Sequence, residues 1–192
     1  KCFQEAVRLE PDNLNAWICL ATNNLRRGAF SDGWKQFSKR FELDPSLAPK
    51  GDTPVWRGES LQGRSIHLIA EQGLGDLIQF VRFAEPLSKR GANVVVSAPH
   101  TLVELLETVP GVTKCYSDPD KVPPCDYQST VMELPRWLQV SEKDIPLSDG
   151  YLQVDPDINL FHDKLQALGD KVKVGIVWSG NPNHTNDSRR SM

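Results

Sequence analysis

A chain of 192 residues that is 39% hydrophobic and 24% charged can bury an ordinary core, one domain with a small additional module. Its formal net charge of −3 and its scattered Lys and Arg exclude a broad basic face for gripping nucleic acid. No apolar run approaches the roughly 20 residues of a membrane-spanning helix, and the four cysteines show no C-x-x-C spacing. Structural zinc is therefore not indicated, no metal is expected, and reduced thiols in a cytoplasm fit best. The first residues carry no signal-peptide pattern and read as the middle of a helix, so a piece of a longer protein is expected.

Residues 1–45 read as helices with an internal repeat. Pro11 and Pro45 close the similar phrases A-V-R-L-E-P and R-F-E-L-D-P, and Phe3/Phe37, Leu9/Leu43 and Glu10/Asp44 share the same offset of 34 residues. That period, with Ala16, Trp17, Leu20 and Ala21 on one helix, Gly28 and Phe30 at the turn, and Trp34 and Phe37 on the next, resembles the tetratricopeptide (TPR) helix–turn–helix. Asp12 or Asn13 can cap the first of these helices, and Gly28 suits the left-handed position that ends it. The tryptophans are expected in the core. Gly33 and Arg40 depart from the pattern, since Arg40 cannot be buried there unpaired. One repeat and the tail of another cannot bury their faces alone, so further repeats are expected before Lys1.

Residues 46–62 are punctuated by Pro49, Pro54, Gly51 and Gly58 and read as a linker, with Val55 and Trp56 as the residues that dock it. Residues 63–170 read as an α/β domain. Residues 65–70 form a strand, and Leu77, Ile78, Val81 and Ala84 then fall on one helical face. Strands follow at 93–97, 112–116 and 126–131. Helices are expected at 101–109, near Trp137, and at 158–168 before Gly169. At 173–178 a new buried strand begins, so 171–192 reads as the start of a second α/β domain.

The turn at 71–76, E-Q-G-L-G-D, is the leading site candidate because ligands bind outside the carboxyl ends of strands in open α/β sheets. Gly73 and Gly75 permit positive φ there. A dinucleotide fingerprint fits poorly, because Ile78 stands at the third glycine and Ser97 and Ala98 replace the ribose-binding acid. Asp76 has two compatible readings, a helix-capping acid and a carboxylate that takes a proton from a hydroxyl. Glu71 and Gln72 are the other polar groups of that rim. Ser179, Gly180 and Asn181 follow the last strand, with Arg189 and Arg190 beyond; they read either as a polar tail or as a diphosphate site of backbone N–H groups and guanidinium forks.

E-Q-G-L-G-D-L-I-Q-F-V-R-F, R-G-A-N-V-V-V and V-G-I-V-W-S-G-N-P-N-H-T-N-D-S-R-R-S together resemble bacterial tetratricopeptide proteins whose C-terminal part is similar to lipopolysaccharide heptosyltransferases, glycosyltransferase family 9. The resemblance covers nearly the whole chain. It implies an α-helical TPR repeat followed by an α/β Rossmann-like domain, the N-terminal half of a GT-B fold, with a truncated donor domain after it. It implies an inverting, metal-independent glycosyltransferase that uses no cofactor beyond its nucleotide-sugar donor. The acceptor would be a glycan or protein, and the repeats would recruit a protein partner. Asp76 then carries over as the base, Glu71, Gln72, Gly73 and Gly75 as acceptor-side groups, and Ser179, Gly180, Asn181, Arg189 and Arg190 as donor-phosphate contacts. Glu71 and Gln72 replace the small polar residues usual in heptosyltransferases, which argues against heptose. The fragment alone would be inactive, and a non-catalytic TPR scaffold is the alternative.

Overall fold

The computed structural model describes residues 1–147, 149–154, 161–178 and 180. The chain divides into two units, Lys1–Val154 and Asp155–Met192.

The first unit opens with helices α1 (Cys2–Leu9), α2 (Leu14–Arg26) and α3 (Phe30–Phe37) and the single turn α4 (Arg40–Leu43). Asn13 caps α2, its Oδ1 accepting from the Ala16 N–H at 3.0 Å, which satisfies one of the orphan donors of the first turn. Gly28, at φ +77°, lets the chain leave α2 in the left-handed conformation that a side chain resists. On α3, Gly33 comes so close to α2 that an added Cβ would lie 2.6 Å from Leu25 Cδ2. The two helices therefore pack as a hairpin.

This hairpin is not a helical repeat domain, and the expected fold class is corrected here. The helices belong to the same compact unit as the sheet, Lys1–Val154. Of the aromatic residues assigned to repeat packing, Trp34 and Phe37 face the α/β core instead, whereas Trp17 stays among the helices with Val7, Ala16 and Leu20. Trp34 meets Phe37 and, from α5 (Leu74–Phe80), Phe80 edge-on, with ring centroids 5.9 and 5.4 Å apart. A second repeat helix would continue through residues 38–44, but α3 ends at Phe37 and α4 is four residues long. The physical reason is that the face a repeat would turn to its next copy is already covered by the sheet domain.

The core is a four-stranded parallel sheet in the order β3-β2-β1-β4, with β1 (Ser65–Ile69), β2 (Asn93–Ser97), β3 (Val112–Tyr116) and β4 (Tyr127–Thr130). The connection from β1 to β2 runs through α5, a 3₁₀ turn at Val81–Phe83 and α6 (Ala84–Lys89). From β2 to β3 it runs through α7 (Val103–Glu107), and α8 (Leu134–Trp137) follows β4. Ile66, Leu68, Val94 and Val96 alternate onto one face and share a core with Leu77, Val81, Ala84, Leu87 and Leu106, all buried. The crossover from β3 to β4 carries no α-helix, only a proline-rich segment with one 3₁₀ turn at Pro119–Lys121. The second face of the sheet is therefore covered differently, and a cavity lies there.

Residues 54–56 lie along the free edge of β4. The Trp56 N–H donates to Gln128 O at 2.8 Å and the Gln128 N–H to Pro54 O at 2.9 Å, while Val55 forms an isolated parallel bridge with Gln128. The Trp56 side chain is completely buried and its Nε1–H donates to Glu59 O at 2.9 Å.

The second unit holds α9 (His162–Gln166), after which Gly169 takes φ +54°. The buried strand expected at 173–178 is absent: these residues have no regular structure, and Val174, Ile176, Val177 and Trp178 are exposed. A parallel strand requires hydrogen-bonded neighbours, and no described residue supplies one.

Candidate functional site

The order β3-β2-β1-β4 reverses its winding between β1 and β4, so the ligand-binding crevice of such a sheet opens at the carboxyl ends of those two strands. Glu71 follows β1 there. Thr130 ends β4 and Glu133 follows it.

Arg40, the first residue of α4, enters this crevice and is 4% exposed. Its Nε–H and Nη2–H grip Glu71 as a fork, at 2.5 Å to Oε1 and 2.8 Å to Oε2. Its Nη1 donates to Glu133 Oε1 at 2.8 Å and to Phe37 O at 3.1 Å, and Nη2 donates to Thr130 Oγ1 at 3.4 Å. All five guanidinium donors thus have acceptors. The planar group lies over the rings of Phe37 and Phe41, 4.6 and 4.2 Å from their centroids. Burial pulls the Arg40 pKa down, but the bonds and charges of Glu71 and Glu133 outweigh it and hold the value above that of a free arginine. Ser38 Oγ donates to Glu133 at 2.8 Å, and Arg136 Nη1 lies 3.5 Å from its other oxygen. The second cation offsets the second carboxylate.

Glu71 was expected to touch substrate, and this network gives it another task. Both of its oxygens are bonded to Arg40, and it is 5% exposed. The turn itself also differs from expectation. The positive φ falls on Gln72, at +63°, and Gly73 takes φ −91° as the residue before α5. Gly73 serves by its small size, because an added Cβ would stand 3.2 Å from Asp76 Oδ2. Gly75, exposed in the first turn of α5, has open space around it. Asp76 is half-exposed, and its Oδ2 accepts from the Gly73 N–H at 3.0 Å, so the capping role is present. Among the described residues its other oxygen has no hydrogen-bond partner.

The cavity on the sheet's second face has a volume of about 770 Å3, within the range of small-molecule sites. Its floor follows the strand register. His67 and Gln128 lie side by side in one row, and Ile69 and Ser97 in the next toward the carboxyl ends. Glu71 and Gln72 reach its rim, and Pro49, Pro119 and Pro124 wall it. Asp76 is not among its lining residues. Gln128 Nε2 donates to Lys50 O and Thr53 O, at 3.2 and 2.6 Å, which ties the covering segment to the floor. Among the described residues the buried His67 Nε2 has no partner. Burial pushes the His67 pKa below its ordinary value of 6.5.

That shift sets a pH dependence. The folded state binds the His67 proton less tightly than the unfolded chain does. Stability is therefore fully present above the unfolded value of 6.5 and is lost as pH falls through the folded one. Melting temperatures taken from pH 8 down to pH 5 should fall, and His67→Gln should flatten that fall. An unchanged slope in the variant would remove His67 as its source.

His67, Gln128, Arg40 and Glu133 were not singled out as site groups. The signal for the first two was available as polar residues within strands of a parallel sheet, whose inner positions are ordinarily apolar on both faces. Gly180, expected at the donor site, is exposed, while Ser179, Asn181, Arg189 and Arg190 lie outside the described residues. Cys115 is buried and its thiol is pushed up to about 11, first by burial and then by Glu107, so it is not a ready nucleophile. Among the described residues no group of three or more His, Cys, Asp or Glu could hold a metal ion, and no helix is long and apolar enough to cross a membrane.

No family model matches the chain, and no solved structure matches it. Protein FlbA of Caulobacter vibrioides is similar, 25% identical over 182 residues, an alignment that covers 82% of this chain and 30% of that protein. The chain thus corresponds to less than a third of that relative's length.

Proposed function

We propose that the chain is the acceptor-side part of a glycosyltransferase, which passes a sugar from a nucleotide sugar to a hydroxyl of a glycan or protein. The observation that carries the reading is the placement of the turn at 71–76, whose E-Q-G-L-G-D phrase resembles glycosyltransferase family 9. It leaves β1 at the point where the winding of the sheet reverses, the edge at which open parallel sheets take ligands. In this reading one Asp76 oxygen is held by the Gly73 N–H, and the other takes the proton of the acceptor hydroxyl. The acceptor oxygen forms its bond to the anomeric carbon as the bond to the nucleoside diphosphate breaks, and the diphosphate leaves with that electron pair. The cap fixes the direction of the carboxylate.

Asp76→Asn separates the two roles, because a carboxamide oxygen can still accept from Gly73 but cannot take the proton. In the whole protein, sugar transfer should fall by about 10²- to 10⁴-fold, the range for removing a general base, with the melting temperature unchanged. Transfer at the original rate would remove Asp76 as the base. If no nucleotide sugar shifts the melting temperature of the unaltered whole protein, the transferase reading falls entirely.

A second reading, a binding module without chemistry, is favoured by Arg40, which occupies the crevice between β1 and β4 with the chain's own side chain. Here ligand would be held in the sheet-face cavity, and Asp76→Asn would leave its binding intact.

A further inference from the structure

A second cavity, of about 380 Å3, shares no lining residue with the sheet-face cavity. It lies where α2 and α3 meet α5, the 3₁₀ turn at Val81–Phe83 and the chain around α8. Its walls are apolar and largely aromatic, formed by Phe30, Trp34, Phe80, Phe83, Pro135 and Val140. Phe80 and Phe83 stack with ring centroids 6.2 Å apart, and Trp34 abuts Phe80 edge-on, so the aromatic wall is braced on two sides.

The polar groups of the lining are Arg26, Gln79 and Arg82. None of these described lining residues is acidic, in a chain whose 25 acidic residues outnumber its 22 basic ones. Arg82 is the distinctive group. Its guanidinium lies over the Tyr151 ring, 4.4 Å from the centroid. That ring is fixed by its hydroxyl, which donates to Ile78 O at 2.6 Å. The Arg82 Nε–H is buried and has no acceptor among the described residues. A buried donor left unpaired is unfavourable, and an aromatic face offers no lone pair along the N–H direction. The arrangement is the opposite of Arg40, where every donor is matched by a fixed acceptor.

We propose that this cavity binds a small organic monoanion with an apolar body, an aliphatic or aryl carboxylic acid, whose carboxylate accepts from the terminal Nη groups of Arg82 while its hydrocarbon part fills the aromatic pocket. The walls supply apolar contact, and the cations supply charge with no acid to compete. A carboxylate supplies the planar pair of acceptors that a guanidinium matches. The proposal does not depend on the transferase reading, since no residue of the turn at 71–76 takes part.

Decanoate and decanol, which share a hydrocarbon chain and differ in the charged head, test it by titration calorimetry on the intact protein. Decanoate should bind at least about tenfold more tightly than decanol, the difference expected for a charge-assisted hydrogen bond. Arg82→Gln should bring decanoate down to the affinity of decanol and leave decanol unchanged, and Arg82→Lys should fall between. Ile145→Trp, at a partly exposed lining position that is 37% accessible, should block both ligands and keeps the test open if the Arg82 variants do not fold. Equal affinities for the two ligands, no binding of decanoate, or binding unaffected by Arg82→Gln in a folded variant would each overturn the proposal.

Discussion

Replacing Arg40 by alanine should lower the unfolding free energy by about 3–5 kcal/mol, the usual consequence of removing one partner from a buried ion pair. The loss comes less from the attraction removed than from what remains. Glu71 and Glu133, 5% exposed each, would be left in the crevice facing one another with no guanidinium between them. Arg136 reaches only the other oxygen of Glu133, at 3.5 Å, and among the described residues no second cation reaches Glu71. The triple variant Arg40→Met, Glu71→Gln, Glu133→Gln separates these contributions, since it removes charge on both sides together, and it should recover most of the loss. Urea unfolding followed by circular dichroism measures both. A loss below about 1 kcal/mol in Arg40→Ala, the range of an exposed pair, would show that the crevice is wetter than its burial indicates.

Trp56→Ala should cost about 3–5 kcal/mol, the range for an aromatic core residue. The tryptophan is completely buried, and it belongs to the same core as Leu61, Ile66 and Leu134. Its backbone also carries a rung of the sheet, and the alanine variant leaves that rung in place, so the cost is that of the cavity. Trp56→Phe keeps most of the ring volume and gives up the bond to Glu59 O, and it should lose markedly less. If calorimetric melting finds the two variants equal, the indole bond rather than the packing holds this segment.

The strands at 93–97 and 112–116 are legible in the sequence because β-branched residues run together and are bounded by glycine and proline. The place of the turn at 71–76 and the capping role of Asp76 are legible because two glycines and an acid stand between a strand and a helical face, but that Gln72 takes the positive φ is not. What could not be read was which elements share a core. A period of 34 residues describes how helices repeat, but the partner of Trp34 and Phe37 is set by long-range packing, and here it is Phe80 and the sheet. Arg40 shows the limit most clearly. Its misfit with the repeat is visible in the sequence, yet its partners lie 31 and 93 residues away. The strand expected at 173–178 fails for a related reason, since an apolar run gives the propensity to extend but not a neighbour to pair with.

The rung that residues 54–56 add beside β4 has a further implication for the order of assembly. It joins stretches more than 70 positions apart, so it forms only once the intervening chain has been gathered, and until then the outermost strand presents unpaired amides and carbonyls to any other chain. On sequence separation alone, sealing that border is expected late in making the sheet, and the window before it closes is when the chain is expected to be most prone to join its neighbours edge to edge.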